Sequence, residues 1–273
     1  MKRTFIGLLT ISVVLCLMQS CSRDGNLPGE SKTFVHVHGA WQSSWVWGTV
    51  KEQLEFAGQK VIVVSLPAHG DDTTSPTAVT LDTYSDSVIS AISDITKGNK
   101  KIVLVGHSLA GMIISEVAEK IPTQIDKLIY VGAYLPANGQ SLLDLANTDG
   151  QSLLGQSLIF YPATLGVPLN KVSDIFCQDG SVEVKNLLVA KYKDEPLIPF
   201  TNNVTLTAAN FGKVGKFYIH TLQDHVVGPD LQNRMVDAAH IPNDKVYSLN
   251  SSHSPFLSMP GKVSETLLKI AFQ

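Results

Sequence analysis

The stretch Lys101 to Gly111, Lys-Ile-Val-Leu-Val-Gly-His-Ser-Leu-Ala-Gly, restricts the fold of this chain more than any other. Lys101 to Val105 is a short apolar run that ends at a glycine, the pattern of a buried strand. Met112 to Lys120 reads as a helix. Gly106 to Ala110 leaves no length for a loop between them, so the chain must turn sharply with Ser108 at the tip. A turn that tight needs small residues two places before and two places after the serine, and Gly106 and Ala110 meet that need. Ala110 stands where glycine is usual, with Gly111 one position later. A strand feeding a helix in this way is the repeating unit of a parallel α/β sheet.

The rest of the chain repeats that unit. Thr33 to Val37, Lys60 to Ser65, Asp126 to Val131, Gly215 to Leu222 and Lys245 to Leu249 are further strand-like runs. Trp45 to Ala57 reads as a helix, with Val46, Val50, Leu54 and Ala57 at helical spacing and Gly58 as its stop. Leu81 to Ile95 is another, with Thr80 as a cap and Asp82 and Asp86 near its start, where the helix dipole favours acids. Gly228 to Ala239 and Val263 to Phe272 complete the helices. This alternation predicts an α/β fold with a parallel sheet, in which ligands sit beyond the carboxyl ends of the strands. At 273 residues, one domain with an insertion is expected. The insertion falls at 136–205, where Asn, Asp, Gly and Pro accumulate and only short helical pieces such as Val182 to Tyr192 remain. A structureless loop of that length is foreign to a compact domain. It reads as a helical cap over the strand ends, with the core at 33–135 and 206–273. Leu153, Leu154, Leu158, Phe160, Tyr161, Phe176 and Phe200 are expected to give the cap an apolar underside.

The N-terminus follows different rules. Lys2 and Arg3 precede an apolar run, Phe5 to Met18, and then Gln19-Ser20-Cys21-Ser22. Residues 1–20 read as a secretory signal of the lipoprotein type, too short for a convincing membrane span. Cys21 is the expected site of lipidation, and 21–32 the tether. The expected location is the bacterial cell envelope, on a membrane through the lipid of Cys21, with secretion or a periplasmic location as the alternatives. Cys16 would leave with the signal, so Cys177 has no partner for an intramolecular disulfide and reads as a small buried residue. No Cys/His spacing suggests a structural zinc. The net charge of −3 and the lack of a basic cluster exclude a nucleic-acid partner, and 44% apolar against 16% charged residues excludes a disordered chain.

Phe34-Val35-His36-Val37-His38-Gly39-Ala40-Trp41, the turn Gly106 to Met112, Val131 to Pro136 and His253-Ser254-Pro255-Phe256 together resemble the α/β-hydrolases, in particular bacterial relatives of the plant methylesterase and hydroxynitrile lyase group. The likeness runs from Thr33 to Phe272, more loosely in the cap. It implies a sheet of about six parallel strands and esterase activity without metal or cofactor. In that family the catalytic partners follow in the order Ser, acid, His, which gives Ser108, Asp224 and His253. Each lies just beyond a strand-like run. Asp230 is the rival acid, but it falls in the first turn of a helix and serves its dipole. His36, His107, His225 and His240 are in the wrong places for the base. His69 ends a strand without a partner and reads as structural. The backbone N–H groups of Ala40 and Leu109 would form the oxyanion hole. Gly39, Trp41 and His107 are the expected pocket residues, while Trp45 and Trp47 pack a helix on the sheet. The lyases are similar in carrying a lysine after the histidine and a threonine in the first oxyanion loop. Here those places hold Ser254 and Gly39. The expected substrate is a small-molecule ester. The alternatives are a cyanohydrin or carbon–carbon lyase, or a homologue that binds a small ligand without turnover.

Overall fold

The computed structural model describes residues 31–98 and 100–273. The signal at 1–20, Cys21 and the tether up to residue 30 lie outside the described residues. In chain order the strands are β1 (Thr33–Val37), β2 (Lys60–Val64), β3 (Ile102–His107), β4 (Ile125–Val131), β5 (Ile159–Phe160), β6 (Thr164–Gly166), β7 (Glu195–Pro196), β8 (Gly215–Thr221) and β9 (Val246–Leu249). Six of them form one sheet in the order β2-β1-β3-β4-β8-β9, every pair parallel. That is the sheet the strand–helix alternation and the resemblance led us to expect.

Helices cover both faces: α1 (Gly48–Phe56), α2 (Leu81–Ile92), α3 (Ala110–Lys120), α4 (Leu142–Ala146), α5 (Leu169–Phe176), α6 (Val182–Ala190), α7 (Ile198–Thr201), α8 (Pro229–Ala238), α9 (Pro255–Ser258) and α10 (Pro260–Ala271). Strand periodicity sorts the core into two layers. Phe34, Val103, Val105, Ile129, Val131 and Ile219 pack against α1 and α10. Val35, Val37, Leu104, Leu128, Tyr130 and Tyr218 face α2, α3 and α8. With both faces covered, the strands read as continuous apolar runs instead of alternating ones. Thr80 caps α2 by accepting from the Thr83 N–H. Asp82 and Asp86 near its start do more than meet the dipole: both take hydrogen bonds from Lys120 Nζ, at 2.7 and 2.9 Å, and tie α2 to α3.

The insertion between β4 and β8 is not purely helical. It contains α4 to α7 and an antiparallel sheet in the order β5-β6-β7. Its expected apolar underside also needs correction. Leu154, Phe176 and Phe200 are buried, but Leu153, Phe160 and Tyr161 are exposed. β5 is an edge strand of two residues that pairs only with β6, and Phe160 on it is largely exposed.

His36 is the odd residue of the inner core. Strand alternation puts it between the rings of Phe34 and Trp47, fully buried, with no hydrogen-bond partner on either nitrogen. Burial drives its pKa from 6.5 down to about 3. Between those values the unfolded chain binds a proton that the folded one refuses, so stability falls as pH falls, by about 1.4 kcal/mol per unit for this group. The variant His36→Leu is expected to shrink the loss of unfolding free energy between pH 7 and pH 5 by about 2 kcal/mol, measured by urea denaturation at both values. An undiminished loss would show that His36 does not set the acid limb.

Candidate active site

The carboxyl ends of β1, β3, β8 and β9 carry the residues singled out above. At the end of β3 the chain turns through Ser108 with φ at 55°, a left-handed conformation that serine rarely adopts. The Ser108 carbonyl accepts from the Gly111 and Tyr134 N–H groups at 3.0 and 3.1 Å, which closes the turn and links it to the end of β4. Gly106 has to be glycine here: a Cβ on it would lie 2.7 Å from the Ala110 carbonyl oxygen.

Asp224 follows β8 and His253 follows β9, and the two side chains meet at 2.8 Å, His253 Nδ1 on Asp224 Oδ2. A carboxylate can only accept, so Nδ1 carries the proton and Nε2 is left as the basic nitrogen. Thr221 Oγ1 donates to the same carboxylate oxygen at 2.6 Å, and the Val226 and Val227 N–H groups donate to Oδ1 at 2.7 and 2.9 Å. Gln232, fully buried on α8, fastens this corner through Thr221 and the Val227 carbonyl. Thr221 and Gln232 escaped the sequence reading; a glutamine two places after Asp230 looks like any helix residue. Asp230 begins α8 and has no contact with His253, and its own N–H donates to Gln151.

The loop after β1 holds His38 to Trp41. His38 Nε2 accepts from the Leu66 N–H at 3.2 Å, and its Nδ1 donates to the Gly39 carbonyl at 2.9 Å, so both nitrogens are committed in the neutral ring. Burial, with the charge of neighbouring His69, takes its pKa to about 3. Among the described residues, the Ala40 and Leu109 N–H groups have no hydrogen-bond acceptor. Gly39 is wedged against the nucleophile turn; a Cβ there would lie 2.7 Å from Ser108 Cβ. His107, one of the expected pocket residues, packs against His253. It is buried, its Nε2 donates to the His253 carbonyl at 2.8 Å, and its ring packs on those of His253 and Phe256. It therefore holds His253 from behind. Burial, and after it the nearby His253, keep its pKa well below the usual range.

The insertion reaches both loops. Glu195 of β7, fully buried, accepts from the Trp41 N–H at 2.9 Å, from Tyr84 OH at 2.9 Å and pairs with His69 Nε2 at 2.7 Å. His69, read from sequence as lacking a partner, thus has one from the cap. Asp179 accepts from the N–H of Ser252, at 3.0 Å, and from its hydroxyl, and so holds the residue before His253. Phe176 and Phe200 pack on Trp41, and Phe176 also approaches the His253 ring. Ser108 is left only 4% exposed and His253 1%. A cavity of about 550 Å³ opens elsewhere, between α4 and α8, and includes none of Ser108, Asp224 and His253.

Residues 34–266 match the model of the alpha/beta hydrolase family. Putative methylesterase 11, a chloroplastic protein of Arabidopsis thaliana, is 31% identical over 255 residues; the match covers 89% of this chain and 64% of that protein, so the chain spans less than two thirds of that relative. Putative methylesterase 14 of the same plant, also chloroplastic, is 30% identical, with 88% of this chain and 72% of that protein covered. The crystal structure of polyneuridine aldehyde esterase is similar with a TM-score of 0.79 at 25% identity, covering 89% of this chain and 100% of that one. The chain belongs to the alpha/beta hydrolase family, in the group of the plant methylesterases.

Proposed function

We propose that this protein is a serine hydrolase that cleaves carboxylic esters through an acyl-enzyme on Ser108. The observation that carries the reading is one constellation: an imidazole whose Nδ1 is committed to a carboxylate, at the same sheet edge as a left-handed serine and two amides without acceptors. In the reaction, His253 Nε2 takes the Ser108 hydroxyl proton as Oγ attacks the ester carbonyl carbon. The charge that develops on the carbonyl oxygen is met by the Ala40 and Leu109 N–H groups. The intermediate expels the alkoxide, which leaves with the proton from His253. Water then repeats the cycle and frees the acid. The likeness to plant methylesterases makes methyl esters the first substrates to try.

The acid assignment is tested by a pair of variants. Asp224→Asn keeps the shape but favours the wrong imidazole tautomer, and kcat is expected to fall about 10⁴-fold, as for serine proteases. Asp230→Asn is expected to leave kcat within a factor of two or so, the scale of a surface change. Reversed outcomes would move the acid to Asp230.

A lyase reading fits less well. Where the lyases carry a threonine, Gly39 has no room even for a Cβ. Where they carry a lysine, Ser254 is uncharged and its hydroxyl accepts from Gln42 Nε2 at 3.0 Å. Among the described residues, a leaving cyanide would find no uncompensated cation beside His253. The expected outcome is hydrolysis of short or medium chromogenic esters, lost in Ser108→Ala, and no release of cyanide from an aromatic cyanohydrin above the buffer blank. Cyanide release without ester hydrolysis would restore the lyase, and ligand binding without either would leave a non-catalytic homologue.

For the N-terminus we propose cleavage before Cys21 and lipidation of that residue, on the strength of Lys2, Arg3, the run Phe5 to Met18 and Ser20-Cys21. The mature protein would then be held on a membrane by several acyl chains, since one alone binds marginally. Mass spectrometry of the mature protein is expected to find an acylated N-terminal Cys21. An unmodified peptide that starts elsewhere would refute the anchor.

A further inference from the structure

The direction of the Ala40 N–H is set by the peptide planes on either side, because each plane is rigid. The plane before Ala40 contains both its N–H and the Gly39 carbonyl, and His38 Nδ1 holds that carbonyl. The plane after it ends in the Trp41 N–H, which Glu195 Oε2 holds at 2.9 Å. Trp41 stands at φ 59°, a conformation that a bulky side chain adopts only where its surroundings impose it. Those surroundings belong to the cap. Glu195 takes the backbone N–H, the Leu165 carbonyl takes the indole N–H at 2.8 Å, and Phe176 and Phe200 pack on the ring.

Glu195 is held in turn by a shared proton. His69 Nδ1 lies 2.9 Å from the Pro67 carbonyl, which can only accept, so Nδ1 carries a proton. The contact of His69 Nε2 with Glu195 Oε2 must then contain a second proton between the two atoms. Whichever atom carries it, the pair is neutral as a whole, and a fully buried carboxylate is tolerated without a net charge. Burial alone would lower the pKa of His69, but the Glu195 charge and hydrogen bond outweigh it and raise the value, which favours imidazolium facing carboxylate. Tyr84 donates to the other oxygen and completes the set.

We infer that Glu195, balanced by His69, is a positioning residue for the oxyanion hole: by holding the Trp41 N–H it sets the loop that carries Ala40, so that closing the cap and assembling the oxyanion hole are one event. The inference rests on the reading of Ala40 and Leu109 as the oxyanion donors.

Glu195→Gln tests it. The amide keeps the shape but cannot serve both neighbours. With its oxygen toward the Trp41 N–H it opposes the bare Nε2 of a neutral His69; with its NH₂ there it opposes the N–H. The expected result is a fall in kcat of about a hundredfold, the loss that accompanies a misplaced catalytic group, with KM little changed. Affinity for a trifluoromethyl ketone, which forms a tetrahedral adduct on the serine, should fall by the same factor as kcat/KM. A second readout needs no turnover: amide hydrogen exchange across residues 38–43 should quicken, while exchange in β4 and α10 stays at the wild-type rate. A folded variant with wild-type kcat, ketone affinity and exchange overturns the inference. If the wild type cleaves no ester but the exchange change is seen, the reaction assigned above has failed, the oxyanion role falls with it, and only the hold of Glu195 on the loop after β1 stands. If turnover depends on Ser108 and Glu195→Gln leaves it untouched, the positioning role alone has failed. Should Glu195→Gln not fold, His69→Gln, which keeps the carboxylate but removes its balancing imidazole, is read by the same measurements with the same two outcomes.

Discussion

The backbone of Ser108 stands at φ 55°, and a serine does not hold that conformation unaided. The strain is met by the most constrained part of the sheet. β3 is paired on both sides, by β1 and β4, and the turn that follows it is tied to the end of β4 through the Tyr134 N–H. Trp41 and Ala68, at φ 59° and 64°, are also left-handed, so each of the three adjacent strands β2, β1 and β3 is followed by a strained non-glycine residue. At about 1–3 kcal/mol each, such residues persist only where surrounding contacts over-determine them. They mark the edge where the parallel order of the sheet changes direction, the place where α/β sheets bind their ligands.

The cap over-determines two of the loops at that edge. Glu195 reaches the loop after β1, and Asp179 reaches Ser252 in the loop after β9. One therefore acts beside Ala40 and the other beside His253. A buried ion pair adds little net stability over an apolar pair, but losing one partner costs about 3–5 kcal/mol. The pair Glu195–His69 is thus better understood as a device that makes one arrangement of cap and core much better than its neighbours than as a source of stability.

The legible parts of this chain were those governed by local rules. Strand runs bounded by Gly and Pro, the turn around Ser108 and the capping Thr80 each depend on a few consecutive residues, and the six-stranded parallel sheet follows from them. Asp224 and His253 could be picked out because the order of partners in the family this chain resembles falls on residues that each follow a strand, and the two do meet. What stayed hidden depends on distant partners. Glu195 lies in Lys193-Asp194-Glu195-Pro196, which reads as a solvated turn, yet it is fully buried because three donors from the core converge on it. His69 looked partnerless because its partner is 126 positions away in sequence. His107 adjoins Ser108, but strand alternation turns its ring against His253, a contact made across 146 positions of sequence. Hydrophobicity alone suggests an underside of the cap for Leu153, Phe160 and Tyr161, but it does not say which residues of an irregular insertion find cover.

The charges around the base favour one class of reaction. His107, 4.4 Å from His253 between ring centroids, is neutral: its Nε2–H is spent on the His253 carbonyl and burial opposes a second proton. His38 is neutral for the same reason, with both nitrogens engaged. The proton on His69 is balanced where it sits, by Glu195. Ser254, next to the base, offers an uncharged hydroxyl already engaged by Gln42. Among the described residues, then, the groups around His253 bring no uncompensated cation to it. A small anion such as cyanide, expelled beside His253, would have only the proton of His253 to meet it. Acyl transfer asks for less. Its charge resides on one carbonyl oxygen, where two fixed amide dipoles suffice, and its leaving alkoxide is neutralised by the proton His253 has just received. In so neutral a surrounding those dipoles are weakly screened, and a small error in their direction carries a large cost. Under the reaction proposed above, that is a physical reason for a cap that grips the loop after β1 by its backbone.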